Sequence, residues 1–272
     1  MDLQAYLDRI GYAGRPRPDL ETLRALHRAH LLAIPYENLD VQLGRPLTTD
    51  PEAAFDKLVR RRRGGWCYEM NGLLGAALEE IGFKVARLAG GVMRVVRGDE
   101  MVGNHLVLRV DLDEPWIADV GFGDGGRDPF PLAEAAFASD GFPLRLERLD
   151  ETWWRFHNHE HGGAPSFDFT AAPADEGVLA ARCQWLQSDP DSMFVQNAVV
   201  QRHTPDSILQ LRGRVLRRAR PGGVETHLIE SADEYVGVLD RELALDLPEA
   251  ASLWPRICAR HDEVFGAAAA AG

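Results

Sequence analysis

Apolar residues recur with a helical period through the first third of the chain. Leu20, Leu23, Leu26, Leu31 and Leu32 fall at roughly helical spacing over 19–32, and Pro35 stops the run. A second helix is expected after Pro51. The third is the most regular: Met70, Leu73, Leu74, Ala77, Leu78 and Ile81 fall at i, i+3, i+4, i+7, i+8 and i+11 before Gly82 ends the pattern, which puts Cys67 at or just before its first turn. From Val85 the pattern shortens to β-type runs at Val85–Leu88, Gly91–Val96, His105–Leu112 and Trp116–Val120. Thr152–His157 and Ser166–Thr170 follow on either side of a turn at 161–165, and antiparallel hairpins are the natural reading. After Pro190 the pattern is mixed, with strands at Ser207–Leu211 and Arg214–Leu216 and a helix capped by Ser231 and Glu234. The order is therefore a helical part, a β part and an α/β tail, with no internal repeat and no linker long enough to separate independent domains.

Composition narrows the class. At 272 residues, 45% hydrophobic and 26% charged, the chain has globular proportions and room for two domains or one plus an accessory layer. Only Ala267–Gly272 departs from those proportions. A formal net charge of −12 disfavours nucleic acid and anionic membrane as partners. The N-terminus has acids where a signal peptide needs a basic then apolar run, and no apolar stretch approaches the ~20 residues of a membrane span. Cys67, Cys183 and Cys258 are odd in number and far apart, which argues against a disulfide framework or a zinc site and for a reducing, cytoplasmic setting. Lys57 and Lys84 are the only lysines among 30 basic residues, a bias read as one of coding.

The sharpest segment is Arg63-Gly64-Gly65-Trp66-Cys67-Tyr68-Glu69-Met70-Asn71. The two glycines permit a tight turn, and the cysteine then meets the positive end of a helix, a placement that lowers a thiol pKa and exposes the sulfur and that leaves a reactive and a packing role equally open. Cys183 and Cys258 lack such surroundings and read as packing. His105 opens a strand on the face opposite Leu106, Leu108, Val110 and Leu112, and the next strand returns with Asp119. If the hairpin turns about residue 112, His105 faces Asp119 directly; if about 113, Asp119 faces Val107 and is the diagonal neighbour of His105. Both registers put imidazole and carboxylate on one face. A cysteine at a helix start, with a histidine and an aspartate on adjacent strands, supplies the nucleophile, base and orienting acid of acyl transfer.

Two other patterns carry less. Gly121-Phe122-Gly123-Asp124-Gly125-Gly126 fits a dinucleotide fingerprint, but Pro129 and Pro131 stand where its helix should run, leaving at most a glycine-rich loop with Arg127 that could face a phosphate. His157, His159 and His161 alternate as strand metal ligands would, yet run into a Gly-Gly turn and read as a solvated hairpin end, so no metal is expected.

Ile34-Pro35-Tyr36-Glu37-Asn38-Leu39, the Arg63–Asn71 segment, His105-Leu106-Val107 and Asp119-Val120-Gly121-Phe122-Gly123 together resemble the arylamine N-acetyltransferases, in that family's order and approximate spacing. The resemblance implies an α+β fold with an N-terminal helical bundle (1–84), a central antiparallel β-barrel (85–190) and a C-terminal α/β lid (191–272), around a cysteine-protease-like core. It implies a catalytic triad of Cys67, His105 and Asp119, an acceptor pocket walled by Tyr36 and Phe122, and coenzyme A approached by Gly123 and the loop carrying Gly125 and Gly126. The implied reaction is ping-pong transfer of acetyl from acetyl-coenzyme A to an arylamine, arylhydroxylamine or hydrazine, by a monomer or homodimer. A transglutaminase-like cysteine hydrolase, an amide synthase with the same triad and a non-catalytic metabolite-binding protein are the alternatives.

Overall fold

The computed structural model describes residues 1–266; the tail Ala267–Gly272, and with it the end of the expected unit 191–272, lies outside the described residues. Its first third is helical: α1 (Leu3–Ile10), α2 (Leu20–Ala33), the two-residue β1 (Tyr36–Glu37), α3 (Leu39–Gln42), α4 (Pro51–Phe55) running into a π-helical turn at Asp56–Arg60, and α5 (Cys67–Ile81). Local chemistry sets these ends. The Asp19 carboxylate accepts the Thr22 N–H at 2.8 Å to start α2, and Gly82 closes α5 in the left-handed region at φ 104°.

Next come β2 (Lys84–Val92), the helical turn α6 (Arg94–Arg97), β3 (His105–Asp111), β4 (Pro115–Ala118) and β5 (Phe130–Pro131). β6 (Ala135–Ser139), β7 (Phe142–Arg148), β8 (Trp153–His157) and β9 (Ser166–Thr170) follow. They form one curled antiparallel sheet in the order β5-β4-β3-β2-β9-β8-β7-β6. Its edge strands β5 and β6 do not pair, so the expected barrel is an open half-barrel. The two short runs expected at 85–88 and 91–96 are also corrected. One strand runs from 84 to 92, because a Cβ at Gly90 would come within 3.1 Å of the His105 carbonyl, and glycine lets the neighbouring strand approach.

The remaining chain forms α7 (Glu176–Ser188), α8 (Met193–Gln196), β10 (Val199–His203), β11 (Ile208–Arg212), β12 (Val215–Arg220), β13 (Gly223–Leu228), α9 (Ala232–Arg241) and α10 (Trp254–His261). A second sheet has the order β1-β10-β11-β12-β13, so its edge strand comes from the helical part. The fold is thus mixed α+β.

β3 is buried on both sides, which explains its near-continuous apolar run. Leu108 and Val110 pack with Leu73, Leu74 and Leu78 of α5, while Val107 packs inside the curl with Leu88, Ile117, Phe156 and Phe167. Each fully buried leucine there is worth ~1.5–3 kcal/mol of transfer free energy. This sandwich holds the start of α5 against the first residue of β3, and that is where the chemistry-bearing side chains meet.

Candidate active site

The nucleophile's turn is shaped by close approach rather than by unusual backbone angles. Neither Gly64 nor Gly65 has a positive φ. A Cβ at Gly64 would sit 2.4 Å from the Pro35 carbonyl oxygen, and one at Gly65 would sit 2.9 Å from Glu69. The two glycines let the segment run beside β1, where the Glu37 N–H donates to the Gly65 carbonyl at 2.9 Å. Trp66 then takes an extended backbone, its N–H donating to the Glu69 carboxylate at 3.2 Å, and α5 begins at Cys67. The sulfur is not exposed as expected: Cys67 is 2% accessible, and it reaches solvent only through the cavity that it lines.

Beneath this turn lies a buried cluster of charges. Lys57 Nζ is 2.9 Å from Glu69, 3.2 Å from Asp40 and 3.7 Å from Glu37, and Arg63 reaches Glu37 at 2.7 Å and Asp40 at 3.1 Å. Burial pushes the Glu69 carboxyl up despite Lys57. Burial opposes the charge of Lys57 too, but the three carboxylates outweigh it and raise the ammonium above its usual range. One of the chain's two lysines therefore has a specific structural place.

The β3–β4 register pairs Val110 with Trp116 and Leu108 with Ala118, which centres the hairpin on residue 113. Extended by one residue, it sets Asp119 opposite Val107 and diagonal to His105, the second of the two expected registers. Asp119 Oδ2 accepts from His105 Nε2 at 2.7 Å. Its other oxygen accepts Asn71 Nδ2 at 2.8 Å and the Gly121 N–H at 2.9 Å. With Nε2 committed to Asp119, Nδ1 is the ring nitrogen left for Cys67, whose Sγ donates to the Asn104 carbonyl at 3.9 Å. Burial works against a charged imidazole, but Asp119 and Cys67 together outweigh it and raise His105 to about 10. Burial likewise opposes the Asp119 carboxylate, and His105, Asn71 and Gly121 hold it below the usual range regardless.

Sequence reasoning gave no role to the residues that hold this pair. Asn71, one turn after Cys67 on α5, also accepts the Val120 N–H at 2.9 Å and donates to the Leu106 carbonyl at 2.6 Å, tying helix to both strands. His27 of α2 accepts the Asp119 N–H at Nε2 (3.1 Å) and donates from Nδ1 to the Arg127 carbonyl (2.8 Å); burial lowers its basicity and keeps it neutral for that double role. A polar residue inside an apolar helical stripe was the only available signal for either. Asp124, buried beside the cavity, accepts N–H bonds from Gly163 (2.7 Å), Gln201 (2.8 Å), Gln210 (2.9 Å) and Asn158 (3.0 Å), and burial pushes it to about 6. It joins the β8–β9 turn to the second sheet.

A cavity of about 500 Å³ opens over Cys67 and His105, with Tyr36 and Phe122 in its wall. The Phe122 ring lies 5.5 Å from the His105 ring and 5.0 Å from Phe167, and Tyr36 faces Phe194 at 6.5 Å. The glycine-rich loop is closely packed. Gly123, at φ +90°, is closed off by Gln201, whose Oε1 would be 1.8 Å from a Cβ there. Gly125 and Gly126 line a separate void of about 10 Å³, and none of the three lines the main cavity. Arg127 is 3% accessible, gives four of its five guanidinium N–H groups to His203, Asp140 and the carbonyls of Pro205 and Ser207, and does not line the cavity. No helix follows the loop. His157 pairs with Glu147 at 2.6 Å and His159 hydrogen-bonds the Asp124 carbonyl at 2.8 Å; among the described residues no group of His, Cys, Asp and Glu is placed to hold a metal. Cys183 is buried, which pushes its thiol up to about 12, and Cys258 is half-buried away from the cavity.

A family model described as N-acetyltransferase matches residues 19–252. The arylamine N-acetyltransferase of Mycolicibacterium smegmatis is 39% identical over 265 residues, covering 92% of this chain and 94% of its own. An arylamine N-acetyltransferase / N-hydroxyarylamine O-acetyltransferase of Salmonella typhimurium is 40% identical over 75% of this chain and 74% of its own. Among solved structures, the Mycobacterium marinum arylamine N-acetyltransferase in complex with CoA is similar with a TM-score of 0.84 at 33% identity, covering 97% of this chain and 99% of that one.

Proposed function

The chain belongs to the arylamine N-acetyltransferase family, a family of acyltransferases, and on that premise we propose that it moves acetyl from acetyl-coenzyme A to an arylamine, arylhydroxylamine or hydrazine by a ping-pong route through Cys67. The observation that carries this reading is the 2.7 Å bond from His105 Nε2 to Asp119, with Cys67 at the start of α5 on the wall of the same cavity. His105 takes the proton of the Cys67 thiol and becomes the imidazolium. The sulfur attacks the thioester carbonyl carbon. The bond from that carbon to the coenzyme A sulfur breaks, and the departing thiolate takes the His105 proton. In the second half, the amine nitrogen attacks the acetyl carbon, neutral His105 takes its proton, and Cys67 leaves as thiolate. The Cys67 N–H, at the first position of α5, has no intrahelical partner and is the donor offered to the oxyanion. Asp119 orients the ring and stabilises its charge.

The division into a bundle (1–84) bearing the nucleophile, a β unit (85–190) bearing base and acid, and an α/β lid (191–272) over a cysteine-protease-like core belongs to the same proposal, as does a cytoplasmic location. Among the described residues no helix is long and apolar enough to cross a membrane. The kinetic test is initial-rate measurement at varied donor and acceptor. Parallel double-reciprocal lines are expected, and intersecting lines would mean that both substrates must be bound before acetyl moves.

Phe122 gives a sharper test of the acceptor side. Its ring supplies stacking and apolar surface worth ~1–3 kcal/mol to an aromatic amine. Phe122→Ala should accordingly lower kcat/KM for arylamines about 10–100-fold, with much less effect on the pre-steady-state rate of Cys67 acetylation. Equal slowing of both steps would instead assign the ring to holding His105, its neighbour at 5.5 Å.

A further inference from the structure

The cavity over Cys67 has a second wall of different character. Cross-strand pairing sets Gln210 opposite Arg217 and Arg212 opposite Val215, so these four side chains share one face of the second sheet, and all four line the cavity. α10 contributes Arg256 and, one turn on, Arg260, and Arg97 of α6 also lines the cavity. In a chain of formal charge −12, the cavity lining carries five arginines and a single acid, Asp124. That acid already accepts four N–H donors.

The partners of these arginines are equally telling. Arg260 is paired with Glu263 at 2.7 Å. Arg212, Arg217 and Arg256 hydrogen-bond neutral oxygens instead: Asn197 Oδ1 at 3.4 Å, Gln210 Oε1 at 3.0 Å and the Val195 carbonyl. Among the described residues, none of these three is ion-paired to a carboxylate, although acids outnumber bases 42 to 30 in the chain. Asp124 lies near enough to Arg217 to feel its charge, but guanidinium groups with no carboxylate in an ion pair around a cavity suit an anion that enters it, and their planar forks match phosphate oxygens.

We propose that this wall, with Arg212 and Arg256 as its leading contacts and Arg217 behind them, takes the phosphate groups of coenzyme A. The inference rests on acetyl-coenzyme A being the donor. The same charges could meet a carboxylate on the acceptor, and the test separates the two sources.

Calorimetric titration of the full chain with coenzyme A and with pantetheine, which lacks every phosphate, reads the contribution of the phosphates directly. Charge-assisted hydrogen bonds are each worth ~10-fold or more in affinity. The wild-type preference for coenzyme A over pantetheine should therefore shrink at least ~10-fold in R212Q/R256Q. The R212K/R256K variant, which keeps both charges, should retain most of it and controls for folding. A preference unchanged in R212Q/R256Q overturns the proposal. So does loss of the KM advantage of 4-aminobenzoate over aniline in that variant with the coenzyme A preference intact, because the wall would then serve the acceptor. If the donor reading itself is wrong, wild-type protein would show the phosphate-dependent affinity yet leave Cys67 unacetylated by acetyl-coenzyme A.

Discussion

Asp119→Asn is expected to cut acetyl transfer by ~10³–10⁴-fold, the scale of loss when a serine-triad aspartate becomes asparagine, while the protein stays folded. The hydrogen bonds around the carboxylate say why. Two donors, Asn71 Nδ2 at 2.8 Å and the Gly121 N–H at 2.9 Å, point at Oδ1. An asparagine would keep its carbonyl oxygen against them and turn its NH₂ toward His105. Nε2 would then have to accept, which forces the ring proton onto Nδ1, the nitrogen left for Cys67. An imidazole in that tautomer cannot take a proton from thiol or amine, and the charge that raises His105 to about 10 is gone as well. Turnover with acetyl-coenzyme A and an aminobenzoate, beside a circular-dichroism melt, checks both halves. A folded variant with more than about a tenth of normal turnover would remove Asp119 from the mechanism.

Lys57→Met should be the costliest single change to stability near the site, at ~3–5 kcal/mol, because it leaves Glu69 buried without an ion-pair partner and Glu37 and Asp40 to Arg63 and Arg45. Methionine fills similar space, so the loss is one of charge rather than volume. The sign of the pH dependence follows from Glu69, whose carboxyl burial already pushes up and which would rise further without its 2.9 Å ammonium partner. A carboxyl with a folded pKa above its unfolded one favours the fold at low pH and loses that contribution as pH rises through the folded value. The deficit relative to wild type should thus be larger at pH 8 than at pH 5 in urea unfolding. The Trp66–Cys67 start of α5, whose cap is that same carboxylate, should loosen with it. A deficit below ~1 kcal/mol at pH 8 would show that the cluster does not depend on the Lys57 charge.

What can be read from sequence is whatever local pattern encodes. The α5 stripe puts Cys67 at a helix start, and the alternation in 105–120 puts His105 and Asp119 on one face, with only the register left open between 112 and 113. The supports of the site are not readable, because they come from far along the chain: His27 is 92 residues from Asp119, and Lys57 finds Glu37 and Asp40 only once α3 and the π-helical turn pack together. The β6–β7 hairpin escapes the pattern although Phe142, Leu144 and Leu146 alternate cleanly, since β6 sets Ser139, Phe137 and Ala135 opposite them, a stripe with one large apolar residue. α7 escapes it for a related reason, its buried stripe being just Leu179, Cys183 and Leu186. The packing of the glycine-rich loop is not readable either: Gly123 admits Gln201, and Arg127 hydrogen-bonds His203 and the protein's own carbonyls.

The central claim is that acetyl rests on Cys67 between two half-reactions, and intact-protein mass spectrometry reads that state directly. Mixed with acetyl-coenzyme A alone, the protein should gain the mass of one acetyl group, mapped by peptide digestion to Cys67, and an arylamine added afterwards should remove it and appear as its N-acetyl product. Absence of the adduct, or an adduct that persists in Cys67→Ser or fails to leave when the amine is added, would contradict the account.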